Sequence, residues 1–331
     1  MNVSVIIPMY NAEKTIRECL DSLIGQTLFG DMELLIVDDC SVDRSPEIVM
    51  RYEEKYPENI AFIRLNENAG PGNARNVAME YATGDYIGFV DADDVVQPTM
   101  YEKMFNEAVR CKADYVDCGF YDQKNDNAIV YVSDELVGEL NDEKRSSLIV
   151  VGGFICTKLF RKEFLNSEGI IFRNEYVLED MDYLIECTAR AKVISNVKEI
   201  MYIYRNTDLS LSKTIDPIKY IHNQASAMQA IYERTHRLPN YKGIKEAVEF
   251  AMLHLYSNVI NTCMNIVYLK QQPPETVISI MAALKKLKDA VISGGYDSEY
   301  IHKGISADNL QIIKANDISP EAVLSMLKKD G

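Results

Sequence analysis

The sequence contains no tryptophan, and the signatures of several large protein classes are absent from it. Its seven cysteines form no CxxC pair, which argues against a zinc ribbon. They are scattered through a chain of 331 residues, which is long enough to fold without a disulfide scaffold. No GxGxxG follows the first apolar stretch, and neither GxxxxGKS nor GxxxxGKT occurs. These absences argue against a dinucleotide-dependent dehydrogenase and a P-loop enzyme.

Basic residues are also few, with 35 Lys and Arg against 50 Asp and Glu and a formal net charge of -15. Contacts to the phosphates of DNA or RNA need a basic surface, so we expect no nucleic-acid polymer as a partner. A small nucleotide stays compatible with this charge if a metal ion supplies the positive charge.

Long apolar runs are interrupted by polar residues. The longest helical candidate, Ala247 to Leu269, contains Glu249, His254 and three asparagines, which predicts a buried helix rather than a membrane span. The first residues, MNVSVIIPMYN, lack a basic segment and a long apolar region. We therefore expect no signal peptide and a cytoplasmic protein.

What is present is an alternation of strands and helices. Five short apolar stretches rich in β-branched and aromatic residues are predicted to be strands: Val3–Ile7, Glu33–Val37, Ala61–Leu65, Tyr86–Val90 and Tyr115–Gly119. Helical patterns lie between them. Because strands that alternate with helices need crossover connections, the sequence predicts an α/β fold with a mainly parallel sheet and flanking helices.

Polar residues follow four successive predicted strands. In chain order, the first strand is followed by Pro8 and then by the polar Tyr10 and Asn11, and the second strand by Asp38 and Asp39. The third is followed by Asn66 and Asn68, and the fourth by Asp91, Asp93 and Asp94. The carboxyl ends of parallel strands lie along one edge of a sheet, where ligands bind. Asp and Asn are also ordinary turn residues. Four such strand ends in succession nevertheless predict a ligand site at this edge.

The stretch DYIGFVDADDVV, residues 85–96, places three carboxylates directly after an apolar strand. Such close like charges repel unless water or a cation is shared among them. Magnesium and manganese take carboxylate oxygens and complete their shells with water and phosphate oxygens. We interpret the acids as a metal site that holds a diphosphate. The alternative is a solvated acidic turn, because a DxD motif is very short.

The glycine-rich stretch NENAGPGNARN, residues 66–76, precedes a predicted helix. It has two interpretations that the sequence does not separate. A helix start preceded by glycines can hold an anion, with Arg75 adding positive charge. Alternatively, it is a turn whose arginine neutralises a nearby aspartate.

Four stretches in order resemble the nucleotide-sugar glycosyltransferases of family 2, which have the GT-A fold. They are VSVIIPMYNAEKTIRECLDSLIGQT (3–27), LLIVDDCSVDRS (34–45), NENAGPGNARN (66–76) and GDYIGFVDADD (84–94). The resemblance covers residues 1 to 210 approximately. It implies an inverting enzyme that uses Mn²⁺ or Mg²⁺ and a nucleoside-diphosphate sugar, expected to be a UDP-sugar. The acceptor would be a hydroxyl of a glycan or glycoconjugate, in bacterial surface polysaccharide synthesis.

The resemblance also gives roles to single residues around the nucleotide. Pro8, Tyr10 and Glu13 would lie around the nucleobase and ribose. Asp39 would accept a hydrogen bond from the base. Asn68 would lie near the nucleotide or brace the acidic loop.

The same resemblance assigns the charged residues of the centre. Arg75 would lie near the nucleotide or brace the acidic loop. Asp93 is the first choice as metal ligand, and Asp91 would lie near the ribose or the metal. Asp94 is the third acid of the motif, and Arg205 would reach the diphosphate when a loop closes or would form a surface ion pair.

VGGFICTKLFRKEFL and YVLEDMDYLIE resemble the family as well. By this resemblance Asp180 is the catalytic base that takes a proton from the acceptor hydroxyl. Asp182 is a rival base, and a plain helix start is the alternative for both, because acids favour the helix dipole there. The chain departs from the family at Cys156, where tryptophan is common. The resemblance implies that this position faces the acceptor side.

The resemblance and the change of pattern after residue 215 predict the domain organisation. A transferase domain spans 1–215, with a nucleotide-binding half of about 1–95 and an acceptor half of about 96–215. A helical region spans 216–331, with helices near Pro217–Arg234, Ile244–Leu269, Pro274–Ile292 and Pro320–Lys329. Within it, ALKKLKDAVI places lysines beside an apolar face. It could rest on the inner face of a membrane, although packing on the core or homo-oligomerisation is the expected role.

Two other functions stay open on the sequence alone. A nucleotidyltransferase would use a similar sheet, but no glycine-rich loop with Arg and Lys follows the first strand. A catalytically degenerate nucleotide-binding scaffold is the other alternative, and the intact acids argue against it.

Overall fold

The computed structural model describes residues 1–205 and 215–328 of the chain. The chain divides into two compact units. The first contains Met1–Lys144 and Val151–Lys213, and the second contains Arg145–Val150 and Thr214–Gly331.

The first unit is a sheet with helices. Its strands are β1 Val3–Met9, β2 Met32–Asp38, β3 Ile60–Arg64, β4 Tyr86–Phe89, β5 Val95–Val96, β6 Tyr115–Asp122, β7 Asn127–Ile129, β8 Gly138–Glu139, β9 Lys158–Arg161 and β10 Val193–Tyr204. The helices along this part of the chain are α1 Ile16–Ile24, α2 Ser45–Lys55, α3 Pro71–Tyr81, α4 Met100–Cys111, α5 Asp142–Val151, α6 Lys162–Glu168 and α7 Glu179–Arg190. Short 3₁₀ turns lie at Phe29–Asp31, Asp134–Leu136 and Ile155–Thr157.

The sheet has the strand order β3-β2-β1-β4-β9-β6-β10-β5. The first four strands are parallel to one another, and β9 is antiparallel to both of its neighbours. β10 is parallel to β6, whereas β5, β7 and β8 pair antiparallel at the margins. The predicted α/β fold is confirmed, and the sheet is mixed beyond β4. All five predicted strands are present.

The central strands are apolar because both faces of the sheet are covered. Every residue of β1 except Pro8 is buried, and so is every residue of β2 except Glu33. Strands buried on both faces read as continuous apolar runs rather than as alternating patterns. This explains why they are visible in the sequence.

Parallel pairing brings the ends of these strands to one edge. Met9 lies opposite Asp38 in the register of β1 and β2. The N–H of Asp39 then donates to the carbonyl of Met9 at 2.8 Å, and the N–H of Val90 donates to the carbonyl of Ile6 at 3.0 Å. The residues that follow β1, β2 and β4 therefore start from the same edge of the sheet.

The second unit is helical. Its helices are α8 Pro217–Thr235, α9 Tyr241–Tyr268, α10 Pro274–Val291, α11 Glu299–Gly304, α12 Ala307–Ile318 and α13 Pro320–Leu324, with a 3₁₀ turn at Met326–Lys328. The first three begin and end close to the predicted positions. The predicted helix Pro320–Lys329 is shorter, and α11 and α12 were not predicted. None of the helices within the two described ranges combines the length and apolarity that a membrane span requires.

The lysines on which the membrane hypothesis relied have acidic partners. Lys285 pairs with Asp289 at 2.6 Å, and Lys288 pairs with Asp317 at 2.5 Å. Lys288 is also buried against the rest of its unit. Two of the three lysines in ALKKLKDAVI are therefore compensated within the protein.

Candidate active site

A pocket at the carboxyl-terminal edge of the sheet joins charged and aromatic residues. It has an empty volume of about 370 Å³, which includes open solvent at its mouth. Its charged lining residues are Arg75, Asp91, Asp94 and Asp180, and its aromatic ones are Phe120, Phe154, Tyr202 and Tyr204. The structure thus brings together residues from stretches that are far apart in the sequence.

Asp94 braces the acidic loop that follows β4. It is 1% exposed, and its Oδ2 accepts from the Tyr202 hydroxyl at 2.6 Å while its Oδ1 accepts from the Arg205 N–H at 2.8 Å. Burial, followed by the charges of Asp91 and Asp93, raises the pKa of Asp94 to about 8, against the lowering effect of the hydrogen bonds from Arg205 and Tyr202. The third acid of the loop is therefore held by protein hydrogen bonds at both oxygens.

Tyr202 is a member of the site that the sequence did not reveal. Besides donating to Asp94, its hydroxyl accepts from the Asp91 N–H at 3.2 Å. It lies on β10, 108 residues away from Asp94. A tyrosine in an apolar strand carries no local signal of such a role, so only the strand pairing could reveal it.

Asp91 and Asp93 are the acids of the loop that stay partly exposed. One oxygen of Asp91 contacts Arg75 at 3.0 Å, and the other accepts from the Cys156 thiol at 3.4 Å. Within the described ranges, no three or more His, Cys, Asp or Glu side chains gather into a closed metal cage. A magnesium or manganese ion needs one or two carboxylates when phosphates supply further oxygens. The partly exposed acids fit a cation that arrives with a diphosphate.

Arg75 connects the acidic loop to helix α7. Its side chain is 5% exposed and makes ion pairs with Asp91 and with Glu179. Burial lowers the pKa of Arg75, but the charges of Glu179 and Asp91 outweigh this and raise the pKa above its ordinary value. Burial also raises the pKa of Glu179 to about 7, against the lowering effect of Arg75. The structure therefore shows the neutralising arrangement, one of the two interpretations of Arg75.

The two candidate bases of α7 lie in different environments. Asp180 lines the pocket, whereas Asp182 is fully buried and accepts from the Arg173 guanidinium at 2.9 and 3.0 Å. Burial raises the pKa of Asp180, Arg75 lowers it and Asp91 raises it. Only the first of the two carboxylates borders space that a substrate could enter.

The residues predicted around the nucleobase lie beyond β1 and β2. Pro8 is in β1, Tyr10 is 49% exposed and Glu13 is exposed. Asp39 is buried and accepts from the N–H groups of Ala69 and Gly70, both at 2.8 Å. Burial raises the pKa of Asp39, and these two hydrogen bonds lower it.

Asn68 and Arg205 have contacts that bear on their predicted roles. Asn68 is partly exposed, and its carbonyl accepts from the Tyr176 hydroxyl at 3.3 Å. The Arg205 side chain pairs with Glu18, which is the surface ion pair that the sequence left as an alternative. Residues 206–214, which directly follow Arg205, lie outside the described residues. The nucleotide roles of both residues stay predictions.

The glycine-rich stretch packs directly on the backbone that leads into α7. At Gly72 a Cβ atom would lie 2.2 Å from the carbonyl oxygen of Arg173. The Asn76 side chain adds two hydrogen bonds to the backbone of Phe172, at 2.8 and 2.9 Å. This close approach brings Arg75 to Glu179.

Replacing Gly72 with alanine should therefore lower the free energy of unfolding by about 1–3 kcal/mol, because the contacted atom is rigid backbone. Thermal unfolding of the purified protein measures the effect. Gly30→Ala is the matched control, because a Cβ there meets nothing within 4 Å. Equal stability of the two variants would contradict the close packing.

The chain resembles known proteins in sequence and in fold. The sequence model of Glycosyl transferase family 2 matches residues 4–167. The uncharacterized glycosyltransferase EpsJ of Bacillus subtilis (strain 168) is 34% identical over 224 residues, which are 64% of this chain and 63% of EpsJ. The putative glycosyltransferase EpsH of the same strain is 30% identical over 268 residues, 76% of this chain and 74% of EpsH. The poly(ribitol-phosphate) beta-glucosyltransferase of Bacillus spizizenii is 32% identical over 62% of this chain, but the match spans only 32% of that protein.

Solved structures share the fold. TarS 1–349 of S. aureus in complex with UDP has a TM-score of 0.67 at 21% identity, covering 100% of this chain and 92% of that one. The mannosyltransferase PcManGT of Pyrobaculum calidifontis in complex with GDP-Man and Mn²⁺ has a TM-score of 0.56 at 18% identity, covering 88% and 83%. The family model, these relatives and the shared fold identify the chain as a glycosyltransferase with a GT-A-like fold. The chain belongs to glycosyltransferase family 2, as its motifs predicted.

Proposed function

We propose that this protein transfers a sugar from a UDP-sugar to a hydroxyl of a glycan acceptor, with inversion at the anomeric carbon and with a divalent cation. The reaction serves the synthesis of a bacterial surface polysaccharide. The observation that carries the proposal is that Asp91 and Asp180 line the same pocket. Arg75 pairs with Asp91 and with Glu179, which precedes Asp180 in the chain.

The donor side is supported by the carboxyl ends of β1, β2 and β4. Asp39 is fixed there by two backbone N–H groups, and a carboxylate in this place can accept a hydrogen bond from the base. Asp91 and Asp93 would hold the cation, which supplies positive charge to the leaving diphosphate. UDP is the proposed nucleotide because the sequence motifs resemble those of UDP-sugar enzymes, and TarS 1–349, which shares the fold, was solved in complex with UDP.

Asp180 is the proposed base. An acceptor hydroxyl is a poor nucleophile, and the Asp180 carboxylate takes its proton as the oxygen attacks the anomeric carbon. The bond from that carbon to the diphosphate oxygen breaks, and its electron pair leaves with UDP. Attack from the face opposite the leaving group inverts the configuration. Arg75 keeps Asp91 and Glu179 in place beside this reaction.

The donor and metal assignments are tested by UDP release from a panel of UDP-sugars. We expect slow hydrolysis of one sugar with Mn²⁺ that stops when EDTA is added. Asp93→Ala should lower the rate by about a hundredfold, because the leaving diphosphate loses its cation site. Asp85→Ala is the matched control, since Asp85 is an exposed acid that precedes the same strand at its other end.

Other outcomes of this assay identify other functions. Release of pyrophosphate from a nucleoside triphosphate would indicate a nucleotidyltransferase. Tight nucleotide binding without turnover of any donor would indicate a scaffold. Hydrolysis that EDTA leaves unchanged would show that the metal part of the proposal is wrong.

A further inference from the structure

Phe154 is an exposed aromatic side chain in the wall of the active-site pocket. It is 40% exposed, although large apolar side chains usually lie in the core. Its ring packs edge-on against Phe120 at 5.1 Å between centroids and is stacked with Tyr204 at 6.2 Å. Asp180 lines the same pocket. The exposed ring therefore borders the space where an acceptor would meet the base.

The loop that carries Phe154 has an unusual backbone and is anchored at its carbonyl. Gly152 and Gly153 have φ values of +72° and +126°, which residues with side chains rarely adopt. The carbonyl of Phe154 accepts from Lys158 Nζ at 3.2 Å and lies 2.9 Å from Thr157 Oγ1, whose single hydrogen is donated to Asp117.

Lys158 and Thr157, whose side chains lie next to this carbonyl, both contact the buried carboxylate of Asp117. Lys158 is 2% exposed and pairs with Asp117 at 2.9 Å, and Thr157 donates to the same carboxylate at 2.7 Å. A buried cation with a partner of this kind has few alternative positions. The backbone of Phe154 is therefore anchored to a buried ion pair, so binding a ligand on its ring would require little rearrangement.

The charge of the pocket limits what can lie on this ring. Three acids, Asp91, Asp94 and Asp180, line the pocket. Arg75 is the one basic side chain among the described lining residues, and it is paired with Asp91 and Glu179. A phosphate-bearing acceptor would therefore meet carboxylates and no unpaired basic side chain among the described lining residues.

We propose that Phe154, backed by Phe120, is the platform for a neutral pyranose ring at the end of the acceptor glycan. The C–H groups on one face of a pyranose are apolar and pack on an aromatic face, while its hydroxyls stay available to Asp180. This inference rests on the proposed function. It assigns an acceptor unlike the polyol phosphate in the name of the Bacillus spizizenii relative.

The absence of tryptophan from the chain makes a direct binding test possible. Phe154→Trp introduces a single tryptophan at the platform, and its fluorescence is titrated in the presence of UDP and Mn²⁺. The probes are methyl glycosides of glucose, galactose and N-acetylglucosamine, and ribitol 5-phosphate as the anionic comparison. We expect a saturable change with at least one methyl glycoside and none with ribitol 5-phosphate. Tyr81→Trp, at a residue 60% exposed on α3, is the control that should not respond.

Kinetics of a second variant give an independent test. Phe154→Leu keeps apolar contacts but removes the flat face, so the KM for a pyranoside acceptor should rise about tenfold or more, with less than about a twofold change in the KM for the UDP-sugar. Phe154→Tyr should restore the acceptor KM. Thermal unfolding checks that each variant is folded.

Three results would overturn the platform. They are no saturable response to any glycoside, a response only to ribitol 5-phosphate, and an unchanged acceptor KM in Phe154→Leu. Failure of the proposed function is a separate result, because it shows as no UDP release from any UDP-sugar by the unaltered protein.

Discussion

Asp180→Asn should lower sugar transfer by about a thousandfold while the protein stays folded and binds UDP as before. The amide keeps the shape of the side chain but cannot accept the proton, and general-base catalysis is worth about 10²–10⁴ in rate. Asp180 lines the pocket, whereas Asp182 is fully buried and paired with Arg173. The measurement is UDP release with and without acceptor, together with UDP binding and thermal unfolding.

Asp182→Asn provides the matched comparison on the same helix. Asp182 is buried against Arg173, so its replacement should lower the unfolding temperature. If Asp182→Asn abolished transfer at unchanged stability and Asp180→Asn did not, the assignment of the base would be wrong.

The pH profile of the unaltered enzyme carries the same information. The base works as the carboxylate, so the rate should fall as the pH is lowered through the pKa of Asp180. Burial raises that pKa above the ordinary value of 3.8, so activity should be lost at a higher pH than for a solvent-exposed aspartate. Asp180→Asn should lack this acid limb in its residual rate.

Arg75→Met should cost about 3–5 kcal/mol of unfolding free energy, the largest stability loss that we expect for a single substitution in the site. Methionine fills similar volume but leaves Glu179 and Asp91 without their buried counter-charge. Chemical denaturation at several pH values measures the effect. Arg190→Met is the control, because Arg190 is a more exposed arginine that also pairs with two carboxylates.

The double variant Arg75→Met with Glu179→Gln tests the mechanism of this loss. Removing both charges removes the unpaired carboxylate, so part of the lost stability should return. The pH dependence has a definite sign. The folded-state pKa of Glu179 is raised from 4.5 to about 7, so its stabilising protonation is complete below pH 4.5 and lost as the pH rises through 7. Arg75→Met should therefore be least stable on the alkaline side, and a loss independent of both pH and Glu179 would contradict the explanation.

The parts of the fold that could be predicted are those with a continuous local signal. β1, β2 and β4 are apolar runs buried on both faces, and each ends in polar residues that mark the edge of the sheet. β9 was not predicted, because its four residues, KLFR, have charged residues at both ends. Lys158 within it is buried only because Asp117 on β6 pairs with it.

Site residues were predictable where a single stretch of sequence contains all the groups of a motif. They were not predictable where a role depends on contacts with a distant stretch. Asp91 and Asp93 were recognised as ligand-type acids from DADD alone. Asp94 belongs to the same motif, but hydrogen bonds from Tyr202 and Arg205 occupy both of its carboxylate oxygens, so that it supports the loop. Phe154 gave no signal, because the buried lysine that contacts its carbonyl is paired with Asp117, which lies on another strand.

The contact between Gly72 and Arg173 has a consequence for how the protein is made. Arg75 meets Glu179 only after the ribosome has added 104 further residues. Until then Arg75 has Asp91 as a partner but lacks Glu179, and burial of this cation and these acids without their full set of partners is costly. Such long-range closure slows folding, because the loop must lose its entropy before the contact forms. A fragment that ends before α7 would lack the proposed base Asp180. It would also lack Glu179, the buried carboxylate that pairs with Arg75 beside the donor site.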